Sequence, residues 1–165
     1  SQVDPGFFDA AGIGIVRGRN FNDRDRPDSP RVAIVNQAMA RRFWPGENPL
    51  GRTIQRVDAE DLTVVGVVTD ATIRSIGAEP RSFIYRPYSQ AYSSFLTILA
   101  RTSFDPERTA LNLLATGREL DAELWVWQAK TMKQHLDMML LPARLSAMRL
   151  TAFSVRALTL AAIGL

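Results

Sequence analysis

The chain has 165 residues, 46% of them apolar and 22% charged, which suits one ordinary domain or two small subdomains and excludes a disordered segment. It has no cysteine, so disulfides, zinc–thiolate sites and thiol nucleophiles are excluded. A pI near 9.8 points towards nucleic acid only until the charge is located. Residues 1–137 carry seventeen basic and seventeen acidic side chains, and the net +3 belongs wholly to Arg144, Arg149 and Arg156. The folded part is neutral and lacks the concentrated basic field that a phosphate backbone requires.

The opening residues 1–11 have neither a basic n-region nor an apolar h-region, so they read as the start of an excised domain rather than a signal peptide. Asp4-Pro5 has the form of a helix N-cap followed by proline, Phe7, Phe8 and Ala11 then give a short helix, and Gly12 suits its left-handed C-terminal residue. Residues 13–16 read as a strand leading to Gly18-Arg19, and 22–30 as a polar loop with two prolines. The apolar run Val32-Ala33-Ile34-Val35 is typical of a strand buried on both faces. Asn36 caps the helix that follows, with Ala38, Met39 and Phe43 on one side and Arg41 and Arg42 elsewhere, until Pro45-Gly46 ends it.

Further along, a turn at Pro49-Leu50-Gly51 leads to a strand at 53–57, an acidic turn at 58–61 and the strongly β-prone segment 62–68, together a hairpin. Strands are expected at 82–85 and 95–100. Asp105-Pro106 opens a helix to about Leu120, with Leu111, Leu114 and Ala115 on one face. A strand at 124–127 and a helix from Thr131 follow, so 95–137 reads β-α-β-α, as in an open-faced sandwich. After Met138 the chain turns apolar, and residues 157–165 carry no charge. This is the start of a membrane span or, on pattern alone, an amphipathic helix packed on the domain.

The order of these motifs carries a resemblance. Val32-Ala33-Ile34-Val35-Asn36-Gln37-Ala38-Met39-Ala40-Arg41-Arg42-Phe43-Trp44-Pro45-Gly46, with Asn48-Pro49-Leu50-Gly51-Arg52-Thr53-Ile54, resembles the MacB-like periplasmic core domain of FtsX-type ABC transporter permeases. Pro5-Gly6-Phe7-Phe8-Asp9-Ala10-Ala11-Gly12-Ile13, Arg17-Gly18-Arg19-Asn20-Phe21, Thr63-Val64-Val65-Gly66-Val67-Val68-Thr69-Asp70 and Glu79-Pro80-Arg81 to Tyr85-Arg86-Pro87 are similar to the family in the same order. The resemblance implies an α+β domain inserted between the first two membrane helices of a permease. Residues 1–80 would be its beta-rich subdomain with short helices. Residues 81–137 would be the second half of an α/β subdomain whose first half precedes Ser1. Residues 138–165 would be the connecting helix and the start of a transmembrane helix. Arg149 and Arg156, seven residues apart and so about 20° apart around a helix, depart from the apolar pattern of that span.

Sharper chemistry finds little support in the residues. Asp23, Asp25 and Asp28 suggest part of a calcium loop, but the central glycine and terminal glutamate are missing and Arg24 and Arg26 intervene, so a solvated loop is expected. Gly12, Gly14 and Gly18 do not have dinucleotide-fingerprint spacing and read as turn and cap glycines. His135, the one histidine, has no G-x-S-x-G elbow to serve and reads as a helix-surface residue. Phe43-Trp44, and Trp125 with Trp127 on one strand face, read as core or subdomain-interface aromatics. Arg41-Arg42 reads as the solvated face of its helix.

No catalytic, cofactor-binding or metal residue is assigned, and no cofactor is expected. By resemblance, a separate cytoplasmic ABC ATPase drives the permease, a second permease copy or half completes a dimer, and a periplasmic adaptor or substrate meets the domain on the extracytoplasmic side of a bacterial inner membrane. The domain would transmit ATPase-driven motion for export or envelope-protein regulation, with the helix around 131–150 as lever. The competing class is a small soluble α+β enzyme or ligand-binding domain, which requires convergent titratable groups in a pocket.

Overall fold

The computed structural model describes residues 1–56, 60–71, 80–91, 93–121, 123, 126 and 129–135. Its sheet is built around β3 (Val32–Asn36), which is buried at every position, as an apolar β-branched run demands when strands flank it on both sides. On one side β3 pairs in parallel with β5 (Leu62–Val68), Val35 opposite Val67. On the other it pairs antiparallel with β6 (Ile84–Pro87), Ile34 opposite Tyr85.

β1 (Gln2–Val3) adds to β6 in parallel, and β2 (Ile15–Gly18) adds to β5 antiparallel, giving the order β1-β6-β3-β5-β2. β4 (Thr53–Ile54) also pairs antiparallel with β5, Ile54 opposite Leu62, which is the expected hairpin. The architecture is a mixed sheet with a few short helices, an α+β fold.

Strand alternation sends side chains to two faces. One face gathers Val3, Phe8, Ile13, Phe21, Val32, Ile34, Val68 and Tyr85 beneath α1 (Phe7–Ala11). Phe8 sits edge-on to Tyr85 at 5.2 Å, a favoured aromatic geometry. The opposite face gathers Val35, Met39, Val64 and Val67 beneath α2 (Gln37–Phe43), with Trp44, Leu50 and Ile84 packed against them.

α1 ends as expected, on Gly12 in the left-handed conformation, its N–H returning to the carbonyls of Asp9 and Phe8. Its start differs from the expected proline cap. The residue before the helix is Gly6, and the Asp4 carboxylate accepts from the Gly6 N–H at 2.9 Å, two residues on. The acid thus forms a local turn rather than a cap.

The chain divides into two compact units, Ser1–Arg101 and Thr102–Leu165. β6 belongs to the sheet of the first, because Ile84 and Tyr85 are in register with Val35 and Ile34, although the sequence places 81–137 in a second subdomain. No strand forms at 95–100, which corrects the strand expected there. Phe95, Leu96 and Ile98 are 87%, 67% and 78% exposed. An apolar alternation becomes a strand only when another strand supplies ladder partners, and no described residue does so here.

In the second unit α3 (Pro106–Leu120) stands as expected. Asp105 accepts from the N–H groups of Glu107 (2.8 Å) and Arg108 (3.3 Å), and Pro106 fills the first helical position. Thr131 opens a helical turn through a reciprocal cap: the Gln134 N–H donates to its hydroxyl at 3.2 Å, and its own N–H donates to Gln134 Oε1 at 3.0 Å. The strand expected at 124–127 lies mostly, and the membrane span expected from 138 wholly, outside the described residues. Among the described residues no helix is long and apolar enough to cross a membrane.

Candidate functional site

Three polar clusters punctuate the first unit, and the first and third bring together residues distant in sequence. The first lies where β3 becomes α2. Asn36 is 2% exposed, and its Oδ1 accepts from the Met39 N–H (3.2 Å), capping α2 as expected, and from the Phe83 N–H (2.8 Å). Its Nδ2 donates to Asp70 (2.7 Å) and to the carbonyl of Arg81 (2.8 Å). Asp70, two residues beyond β5, also accepts from the Ala38 N–H (2.7 Å) and from Arg41 Nη2 (2.6 Å). Arg41 is therefore an ion-pair partner of a largely buried acid, not merely a solvated side chain. Arg42 does lie outward, over the exposed Phe43 ring.

The second cluster corrects the solvated reading at Asp25, while most of the loop 22–30 is exposed as expected. Asp25 is 4% exposed, and both of its oxygens accept from Arg19 at 2.8 Å in a two-pronged pair, while the Asn22 N–H donates to it at 2.9 Å. Burial pushes the Asp25 carboxyl up, but the Arg19 hydrogen bonds, the Asn22 N–H and the guanidinium charge outweigh it and hold the acid below its ordinary value. The same pair raises Arg19. Asp23 and Asp28 are exposed, and among the described residues no group of acids or histidine is placed to hold a metal ion.

The third cluster surrounds a cavity of about 190 Å³ lined by Arg31, Arg56, Glu60, Leu62, Arg86 and their neighbours. Arg31 donates to the carbonyl of Gln90 (3.1 Å) and pairs with Glu60. Gln90 is itself fastened by the Val32 N–H to its Oε1 (3.0 Å) and by its Nε2 to Ser29 Oγ (2.9 Å). Nothing in the spacing of these arginines signalled that they meet. The register of β3 and β6 and the β4–β5 hairpin bring them together.

Of the remaining residues weighed in sequence, Gly12 and Gly18 have positive φ, Gly14 lies beside Thr69, and His135 is half-buried on its helical turn. Trp44 packs against the cluster beneath α2, as a core aromatic does. Trp125 and Trp127 lie outside the described residues.

Comparison with known proteins gives the frame for these clusters. The family described as MacB-like periplasmic core domain matches residues 1–115. The chain is 29% identical over 85 residues to the macrolide export ATP-binding/permease protein MacB of Aggregatibacter actinomycetemcomitans, a stretch covering 50% of this chain and 13% of that protein. It is 27% identical over 95 residues to the uncharacterized ABC transporter permease YknZ of Bacillus subtilis (strain 168), covering 58% of this chain and 23% of that protein. The matched stretch is thus less than a quarter of either relative. The solved periplasmic region of MacB from Actinobacillus actinomycetemcomitans superposes with a TM-score of 0.56 at 19% identity, over 82% of this chain and 64% of that one, a likeness of fold.

Proposed function

The chain belongs to the MacB-like periplasmic core domain family, and from that premise we propose that it is the part of an ABC transporter permease that carries ATPase-driven motion to the extracytoplasmic side of the bacterial inner membrane. The observation that supports this most is the family match over residues 1–115, which spans the whole six-stranded sheet and reaches into α3. The physical character of that sheet suits the role. Both faces are covered by packed helices, and the Asn36–Asp70 and Arg19–Asp25 clusters tie its loops to its strands, so a force applied at one end moves the unit as a body.

ATP hydrolysis falls to a cytoplasmic ATPase subunit in this scheme, and this chain performs no bond-making step. Its partners are that ATPase, a second permease copy or half, and a periplasmic adaptor or substrate, and the motion serves export or regulation of an envelope protein. The exposed Phe95, Leu96 and Ile98 offer apolar surface for one of those contacts.

The chain has no cysteine, so Arg42→Cys on the outer face of α2 gives it a single thiol for a spin label. In the whole permease, reconstituted with its ATPase, the label-to-label distance between two copies is expected to differ between the nucleotide-free and ATP-bound states. An unchanged distance distribution through the ATPase cycle overturns the mechanical assignment.

A further inference from the structure

Residues 1–101 carry thirteen basic and eleven acidic side chains, a net charge of +2, and the cavity beneath Gln90 is where positive charge gathers. Three arginines, Arg31, Arg56 and Arg86, line it, and the one carboxylate among its described lining residues is Glu60. Glu60 pairs with Arg31 and is itself 70% exposed, while no described carboxylate pairs with Arg56 or Arg86. Among the described residues the local balance is thus two uncompensated positive charges in a concavity.

The arrangement is built rather than accidental. Arg86 stands two residues along β6 from Ile84, so it lies on the same sheet face as the apolar cluster beneath α2, continuing that face as Leu62 does on β5. Arg31 is held from behind by the carbonyl of Gln90, whose side-chain amide donates to the carbonyls of Arg26 (3.1 Å) and Pro30 (3.0 Å) and to Ser29. Partial burial, and then the charges of Arg56 and Arg31, push the Arg86 guanidinium down from its ordinary value, which is the electrostatic mark of like charges brought together.

We propose that Arg31, Arg56 and Arg86 form a binding site for a phosphoryl oxyanion, supplied by a soluble phosphate monoester or by the headgroup of an anionic lipid. Guanidinium groups present planar forks that match phosphoryl oxygens two at a time, and a dianion neutralises the two charges left over after Glu60. A cavity of about 190 Å³ is smaller than the pockets that enclose drug-sized ligands, roughly 300 Å³ and upward, so the site takes a headgroup rather than a bulky substrate. This site stands independently of the mechanical role.

The test is a titration of the isotope-labelled chain, reading the side-chain Nε–H signals of Arg56 and Arg86. Inorganic phosphate is one probe and a short-chain phosphatidic acid below its micellar concentration is the other. Saturable shifts are expected with at least one probe, with affinity reduced about tenfold in Arg86→Gln and in Arg56→Gln, the loss of one charged hydrogen-bond partner. Arg108→Gln, on α3, is expected to leave both titrations unchanged. Equal affinity for the two probes assigns the soluble source, and tighter binding of the lipid assigns the headgroup. Arg56 is exposed, so Arg56→Gln tests the site even if Arg86→Gln fails to fold. Shifts that never saturate with either probe, or that saturate equally in the variants that fold, overturn the proposal.

Discussion

Gly18 and Gly66 face each other across the β2–β5 ladder, and neither has room for a side chain. A Cβ on Gly18 would stand 2.3 Å from the carbonyl oxygen of Val65, and one on Gly66 would stand 2.4 Å from that of Arg19. Both obstacles are backbone, which cannot swing aside.

This contact predicts an ordering of alanine variants. Gly46 also has a φ of +75°, yet no atom lies within 4 Å of a Cβ built there, so Gly46→Ala is expected to cost only the about 1–2 kcal/mol of a left-handed residue. Gly18→Ala combines that strain with the clash and is expected to cost more, with Gly66→Ala losing about 1–3 kcal/mol from overpacking alone. Urea unfolding of the three variants measures it. A Gly18→Ala variant as stable as Gly46→Ala is incompatible with the close β2–β5 approach.

The Arg19–Asp25 pair predicts a pH dependence. The folded-state carboxyl lies below its unfolded value of about 3.8, so its stabilisation is present above about pH 4 and is lost as the pH falls through the folded value. Asp25→Asn cannot gain or lose that proton, so its stability should fall less steeply on acidification. At neutral pH the same variant should be less stable by about 1.5–3 kcal/mol, the range for hydrogen bonds to a charged group. Thermal unfolding between pH 7 and the acid limit reads both effects, and parallel profiles for parent and variant contradict the assignment.

Asn36→Ala should be among the more damaging single changes. It removes the cap of α2, takes the side-chain partner from the Phe83 N–H and from the Arg81 carbonyl, and takes one of three donors from Asp70, for an expected loss of about 2–4 kcal/mol. Hydrogen exchange at the Phe83 amide should accelerate more than at Val35. Unchanged protection at Phe83 would show that the Asn36 bond does not hold that segment.

Hydrogen exchange on the parent chain should also separate the two apolar stretches of the first unit. Residues 63–68, paired on both sides, are expected to be strongly protected, and residues 96–100, mostly exposed and without ladder partners among the described residues, weakly so. Protection at 96–100 that rises with protein concentration would identify self-association through that stretch. Equal, concentration-independent protection in both stretches would mean that 96–100 is already paired.

Local chemistry was legible where one segment decides its own structure. Asn36 before Met39, Asp105 before Pro106 and Gly12 after α1 all function as a short-range reading expects. The β4–β5 hairpin was equally plain because its partners are close along the chain. The family resemblance extended that reading, since four motifs in one order restrict the fold more than any single pattern. What escaped was decided by how the chain folds back on itself, over a few residues at Asp25 and over long separations elsewhere. Asp25 looks like Asp23 and Asp28 in sequence, and only its position facing Arg19 takes it out of solvent. The exposure of Phe95, Leu96 and Ile98 had no local sign, because alternation reports an apolar face and not what covers it. The meeting of Arg31, Arg56 and Arg86 depends on strand register, which composition does not reveal.

The parallel pairing of β1 with β6 sets an order of events for any chain that emerges N-terminus first. The backbone nitrogen of Ser1 reaches the carbonyl of Ile84, a separation of 83 residues, and Gln2 and Val3 align with Arg86 and Pro87. β1 therefore waits for β6, its neighbour among the described residues, while β2 to β5 are being delivered, and the sheet closes only when β6 arrives. Long-range closures of this kind slow folding, because the entropy of the intervening loop is lost before the contact forms. During that interval the apolar surface later sealed by Val3, Phe8 and Tyr85 stays open to solvent, so delivery of residue 87 is the step at which this face of the sheet is withdrawn from aggregation and proteolysis.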